Sequence, residues 1–135
     1  MRRLTSFIAL TIVGGLFAGA ARLTAAPAAA ASENTPITGV LIDQACGAKM
    51  MEKPDPEKAA EGHPRACAMK DSCAKSGYAV ISGKDMIKFD DNGNKLAKDF
   101  LENSKAEDNL RVQVDGSRDG DQMKVTSIKA APEKG

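Results

Sequence analysis

The chain has 135 residues, with 19 basic and 18 acidic side chains, one histidine and no tryptophan. This near balance of charge excludes the strongly basic surface that binds nucleic acid or anionic lipid, and an aromatic content of 4% argues against stacking platforms for unpaired bases. The length suffices for one domain of roughly a hundred residues preceded by a segment of different composition.

The first 31 residues have the pattern of an export signal. Arg2 and Arg3 precede an uncharged apolar run over residues 4–21, and small residues predominate from there to Ala31. We therefore predict a signal peptide over residues 1–31, cleaved near Ala31, and a periplasmic or secreted protein without a stable membrane anchor. A retained membrane helix is the alternative, since the apolar run approaches the ~18 residues that begin to suggest a membrane span.

The mature chain opens with a strand and a long insertion. Residues 36–42 form a β-branched run that ends at Asp43, and this run predicts the first strand. Residues 44–76 are rich in Ala, Lys, Glu and Pro, and they hold all three cysteines and the only histidine. Two prolines stand where a first helical turn accepts them, so this insertion is predicted to contain a loop and one or two short helices.

A hairpin and a helix are predicted next. The runs at residues 78–82 and 86–89 are apolar and β-branched, and the turn between them is short enough for a hairpin. The polar run at residues 90–94 predicts a turn. Apolar side chains at helical spacing then predict a short amphipathic helix from Lys95 to about Asn103.

Two further strands complete the predicted order. Apolar and polar residues alternate from Leu110 and again from Met123, which indicates half-buried strands joined by a glycine-containing turn over residues 115–121. A mainly β domain with short helices results, with five strands and a helix between the third and fourth. This is the order of an OB-like barrel, so residues 32–135 are predicted to form a single OB-like domain with the cysteine-bearing helical insertion between strands 1 and 2.

Short motifs are distributed over almost the whole mature chain. They are Gly39-x-Leu41-x-Asp43-x2-Cys46, His63-x3-Cys67-x5-Cys73-x3-Gly77-Tyr78, Lys88-Phe89-Asp90-x2-Gly93-Asn94, Leu110-x-Val112-x-Val114-x-Gly116 and Val125-x-Ser127-Ile128. In combination they resemble a group of small exported bacterial proteins that are largely uncharacterised. The resemblance implies an exported OB-like domain with a His-x3-Cys-x5-Cys insertion, and it implies no reaction and no catalytic residue.

The number of cysteines is odd, although exported proteins usually pair their cysteines. If residues 64–75 form one helix, the α-carbons of Cys67 and Cys73 lie ~9 Å apart along its axis. That separation exceeds the ~7 Å limit for a disulfide. We therefore predict one structural disulfide from Cys46 to either of the others, which would pin a polar insertion with little apolar surface of its own.

A metal site is the alternative to a disulfide. Cys46, His63, Cys67 and Cys73, with a methionine nearby, offer thiolates and an imidazole for tetrahedral Zn(II), or thiolates and a thioether for Cu(I). The spacing of these residues matches no strong metal-binding motif. Thiol redox chemistry is a third hypothesis, favoured by the place of Cys67 near a predicted helix start and disfavoured by the lack of a Cys-x-x-Cys pair.

From the sequence we expect an exported binding or structural module without enzymatic activity and without a catalytic residue. Its expected partner is an unidentified protein or small ligand rather than nucleic acid. Soft-metal binding, of Cu or Zn, is the second hypothesis. His63 discriminates between them, because an imidazole near the unpaired sulfur favours a metal and an imidazole in solvent does not.

Overall fold

Five strands close into a barrel in the computed structural model, which describes residues 34–132. The strands are β1 (Ile37–Asp43), β2 (Tyr78–Ser82), β3 (Asp85–Phe89), β4 (Arg111–Asp119) and β5 (Gln122–Ala130). Their order round the barrel is β1-β2-β3-β5-β4, and β4 pairs with β1 to close it. Among the strands of this described region, only the β3–β5 pairing is parallel. The predicted OB-like barrel is confirmed, whereas the predicted signal peptide lies outside the described residues.

The described part of the chain contains five helices. Four occupy the insertion between β1 and β2, and the fifth lies between β3 and β4, as the sequence predicts. They are α1 (Gln44–Met50), α2 (Pro56–Glu61), α3 (Arg65–Ala68), α4 (Asp71–Ala74) and α5 (Asp91–Asn103). The insertion therefore holds more helices than the one or two expected. In the residues described, none of the helices is long and apolar enough to cross a membrane.

The start of α5 differs from the prediction. The sequence predicts a turn for the polar run before Lys95, yet the helix already begins at Asp91. The side chain of Asp90 caps it by accepting hydrogen bonds from the backbone N–H groups of Gly93 at 2.9 Å and Val125 at 3.1 Å. The second of these bonds comes from β5, so a tertiary contact converts an apparent turn into a capped helix start.

The hairpin of β4 and β5 is also longer than predicted. The turn expected over residues 115–121 is wrong in extent, because β4 continues to Asp119 and only Gly120 and Asp121 form the turn. Gly120 has a φ of 61°, which suits glycine in so short a turn. A register shift beside Gly116 keeps the two strands paired along their length.

β1 is buried on both faces. Leu41 points into the main core inside the barrel, while Val40 and Ile42 pack on the opposite face with Ala60 and Ile81. Partly buried side chains from the insertion and β3 complete this second cluster, namely Cys46, Met50, Met51 and Met86. The insertion therefore shares an apolar cluster with the strands, to which it contributes one fully buried side chain, Ala60, and it covers the outer face of the first two strands.

A buried ion-pair network fixes α2 against the barrel. The Arg111 side chain, at the start of β4, is only 3% exposed and lies 2.8 Å from Glu57 and 3.3 Å from Glu61. The backbone N–H of Asn109 also donates to the carbonyl of Glu61 at 2.7 Å. These contacts hold the end of α2, and with it the loop that carries His63.

Candidate metal centre

The segment expected to form one helix over residues 64–75 is broken in two. Lys70, between α3 and α4, has extended backbone angles of φ −63° and ψ 140°. Asp71 then supplies an acidic side chain to the first turn of α4, a placement typical of a helix start and a signal that the prediction overlooked. Cys67 and Cys73 consequently lie on different helices, so the separation argument against their approach does not apply.

The three thiols meet at one point. The Sγ atoms of Cys46, Cys67 and Cys73 all lie within 4.8 Å of one another, and each cysteine is half-buried. They come from α1, α3 and α4, three separate helices of the insertion. All three are free thiols, so the structure forms no disulfide from Cys46, and that pairing stays a prediction.

Hydrogen bonds fix the start of α1 against the end of α4. The Ser76 hydroxyl donates to the carbonyl of Cys73 at 2.6 Å and accepts from the backbone N–H of Ala45 at 3.2 Å. The backbone N–H of Gln44 donates to the carbonyl of Gly77 at 2.8 Å. This set of bonds holds the thiols of the two helices side by side.

α3 is fixed to the barrel independently. The Tyr78 hydroxyl, at the start of β2, donates to the carbonyl of Ala68 at 3.2 Å. Arg65 donates from its backbone N–H to the carbonyl of Glu107 at 2.7 Å and from Nη1 to the carbonyl of Leu101 at 3.1 Å. The three helices are thus held by the fold itself rather than by a bond between their sulfurs.

A buried carboxylate and imidazole adjoin the thiols. Asp43 is fully buried and His63 is 5% exposed, and His63 Nε2 lies 3.4 Å from Asp43 Oδ2. One ligand atom from each of them and Cys46 Sγ lie within 4.8 Å of one another. Asp43 Oδ1 accepts from the backbone N–H of Cys46 at 2.9 Å and caps α1. Among the described residues, however, Asp43 Oδ2 and both His63 ring nitrogens have no hydrogen-bond partner.

The predicted ligands are therefore divided between two groups that share Cys46. Cys67 and Cys73 belong to one group and His63 to the other, and in the described part of the chain no single group within 4.8 Å contains all four. His63 is buried rather than turned to solvent, and the sulfur grouped with it is that of Cys46. The sequence predicts that Cys67 or Cys73 is the unpaired thiol, so His63 is not in one group with the sulfur whose proximity would favour a metal. The sequence analysis missed Asp43 as a site residue, although its place three residues before Cys46 at a strand end is typical of a helix cap.

The methionines of the insertion lie in two kinds of environment. Met50 and Met51 pack against the second core cluster. Met69 is 38% exposed, and its sulfur accepts a contact of 3.7 Å from Arg65 Nη1. Met50 and Met51 thus serve as apolar packing residues, a common role of methionine.

The electrostatic environment keeps Cys46 protonated. Burial, reinforced by the negative charges of Asp43, Cys73 and Cys67, raises the pKa of the Cys46 thiol from 9.0 to about 11. Burial also lowers the pKa of His63, and the neighbouring carboxylate opposes this only in part. At neutral pH the histidine is therefore a neutral imidazole, the form that binds metals. A protonated Cys46 is a poor nucleophile, which argues against thiol redox work at this residue.

An open groove lies beside the cluster, between α4 and α5. It has a volume of about 520 Å³, and its lining includes Tyr78 and charged side chains of both signs, Asp71 and Glu102 with Lys75 and Lys98. Mixed charges on surface side chains select no particular class of small ligand. The cluster of thiols, carboxylate and imidazole is the more specific chemical feature.

No protein family, curated protein or solved structure matches this chain. The resemblance to small exported bacterial proteins therefore stays a prediction. The function has to be argued from the geometry of the site.

Proposed function

We propose that this protein binds a soft metal ion, Zn(II) or Cu(I), through the thiolates of Cys46, Cys67 and Cys73. The observation that supports this is the convergence of three free Sγ atoms within 4.8 Å of one another. Three metal–sulfur bonds of ~2.3 Å in a plane hold their sulfurs ~4 Å apart. Small side-chain rotations therefore suffice to bind a metal.

A disulfide requires a larger rearrangement of the same atoms. Its sulfurs must approach to ~2.05 Å with a restricted dihedral angle, and it leaves one of the three thiols over. A trithiolate site uses all of them and suits the preference of Zn(II) and Cu(I) for sulfur ligands. The proposal thus accounts for the odd number of cysteines, which a single disulfide does not.

The proposed setting is outside the cytoplasm, because residues 1–31 have the pattern of an export signal. We assign the protein no enzymatic activity, and we regard it as a carrier or buffer whose barrel supports the metal-binding insertion. Loss of a proton from Cys46 accompanies metal binding, so the affinity for metal rises with pH.

Thiol counting tests the proposal. The purified protein is reduced without metal, titrated with Zn(II) or, anaerobically, with Cu(I), and treated with a coloured thiol reagent before and after a chelator is added. All three thiols should react in the metal-free protein, none after loading, and all again after chelation. Cys67→Ser and Cys73→Ser should lose this protection, whereas Met69→Leu, a surface change on the same segment, should keep it.

The structural disulfide is the competing outcome of this experiment. Protein isolated without reductant would then be lighter by two hydrogens, with one reactive thiol, and the reduced form would retain no metal. That result would reject the metal-binding proposal and support a single structural disulfide, and peptide mapping would show whether Cys46 is one of its partners.

A further inference from the structure

We propose that the site holds two metal ions, with Cys46 Sγ bridging the trithiolate ion and a second Zn(II) ion bound by Asp43 and His63. This inference rests on the proposed function, because the second ion shares a thiolate with the first. Its geometric basis is that Cys46 belongs to two donor groups, each with its ligand atoms within 4.8 Å of one another. Cysteine, histidine and aspartate are all ordinary ligands of Zn(II).

Buried polar atoms without a hydrogen bond are a second observation that favours a ligand, and two of them, Asp43 Oδ2 and His63 Nε2, face each other at 3.4 Å. Asp43 and His63 are both buried. Within the described residues, Asp43 Oδ2 and both ring nitrogens of His63 have no hydrogen-bond partner. Buried polar groups are nearly always satisfied, since leaving one unpaired costs about 1–3 kcal/mol. A cation between them would occupy Oδ2 and one ring nitrogen, while Asp43 Oδ1 continues to cap α1.

Charge balance favours two ions over one. As metal ligands, the three thiolates and the Asp43 carboxylate carry four negative charges. One divalent ion leaves an excess of negative charge in a site whose carboxylate is fully buried, which is unfavourable without a compensating partner. Two divalent ions neutralise the four ligands, and His63 contributes as a neutral donor.

A single ion bound by three cysteines and His63 is the competing arrangement. It requires the imidazole to approach Cys67 and Cys73 as closely as Cys46. The structure groups His63 with Asp43 and Cys46 instead, and the Asp43 contact at 3.4 Å holds the ring on that side. The observed positions thus correspond to two adjacent binding sites.

The first test is the amount of Zn(II) retained. The reduced, purified protein is loaded with Zn(II), desalted and analysed for zinc per chain, together with His63→Gln, Asp43→Asn and the control Asp85→Asn. The control removes a carboxylate that is 64% exposed and lies outside the site. Wild type and the control should retain two ions, and the two site variants one, with all three thiols still protected. Asn at position 43 still caps α1, so that variant keeps its helix start.

A second measurement tests the bridge. Co(II) replaces Zn(II), and the paramagnetic resonance signal is followed as the first and second equivalents are added. If Cys46 bridges the ions, the second equivalent should weaken the signal of the first, because a shared thiolate couples their spins. Two full, additive signals would refute the bridge.

The possible failures can be told apart. One zinc per chain in wild type, unchanged by His63→Gln, would reject the second ion and leave the trithiolate site intact. If wild type retains one zinc and His63→Gln retains none, the second ion would be rejected in favour of a single ion bound by three cysteines and His63. No retained zinc or copper would reject both this inference and the proposed function. The wild-type stoichiometry needs no variant, so a misfolded variant cannot obscure the result.

Discussion

The metal-free thiol of Cys46 should react with iodoacetamide much more slowly than an ordinary cysteine. Its pKa is raised from 9.0 to about 11, so at pH 8 its thiolate fraction is about a hundredfold lower than that of an unperturbed thiol. A more basic thiolate is also a better nucleophile. With a Brønsted coefficient of about 0.4–0.5, the rate constant of the Cys46 thiolate should be roughly sixfold to tenfold higher than that of an ordinary thiolate. The net expectation is a rate roughly tenfold to fifteenfold below that of the same residue in the unfolded chain.

The variant Asp43→Asn separates the causes of this shift. Burial is the largest cause and the Asp43 charge the next. Removing the charge should therefore raise the alkylation rate of Cys46 without restoring it to the rate in the unfolded chain. Asp85→Asn, outside the site, should leave the rate unchanged.

The assay is pulse alkylation of the reduced, chelator-treated protein between pH 7 and 10, with the Cys46 peptide quantified by mass spectrometry. The same peptide from protein unfolded in urea is the reference. The reference rate should level off near pH 9, whereas the folded rate should keep rising about tenfold per pH unit, because the raised pKa lies near 11. A folded rate that levels off near pH 9 would refute the electrostatic reasoning and remove its argument against redox chemistry.

Three further predictions concern the barrel. Gly93→Ala should lower the free energy of unfolding, measured by urea titration, by about 1–3 kcal/mol, because the added Cβ would lie 2.6 Å from the Val125 side chain of β5. Gly62→Ala is the control, and its Cβ would have nothing within 4 Å, so the free energy of unfolding should not change. Arg111→Ala should destabilise the fold by about 3 kcal/mol, because Glu57 and Glu61 lose the buried guanidinium that they share. A loss too small to measure would contradict the buried ion-pair network. The hydrogen bond from Ser127 lowers the pKa of Asp115 below 3.8. The ionised Asp115 therefore stabilises the folded state above that pH, and this contribution is lost as the pH falls through the lowered pKa. Ser127→Ala should raise the Asp115 pKa in a carboxyl NMR titration, and an unchanged pKa would contradict this cause.

The strands could be predicted from the sequence because their signals are local. Alternating or β-branched apolar runs bounded by turn residues determine where a strand can form, and their order along the chain matches the observed barrel. The start of α5 could not be predicted in the same way. Asp90 caps that helix while also accepting a hydrogen bond from Val125, a residue 35 positions away. Local composition contains no information about such a bond.

The candidate site also combines features with a local sequence signal and features that depend on tertiary contacts. The chemical nature of Cys46, Cys67, Cys73 and His63 makes them candidate metal ligands in the sequence alone. Which of them meet depends on one extended residue between α3 and α4 and on the buried contact between Asp43 and His63. Asp71 signals only that a helix can begin there, and nothing local signals the Asp43–His63 contact. Sequence reasoning therefore found most of the donors but placed them in one group, where the fold makes two.

The position of the site explains why a cross-link there matters for the whole insertion. Asp43 and Tyr78 are directly opposite each other where β1 leaves the barrel and β2 enters it, so one strand pair holds both ends of the insertion. The thiols join α1, α3 and α4 just beyond that pair. A metal that binds only the folded arrangement stabilises it by mass action, by about 2.7 kcal/mol at a free concentration one hundred times the dissociation constant. The ion would thus cross-link the helices of the insertion, as the predicted disulfide would, but reversibly. The stability of this region would then depend on the free metal concentration.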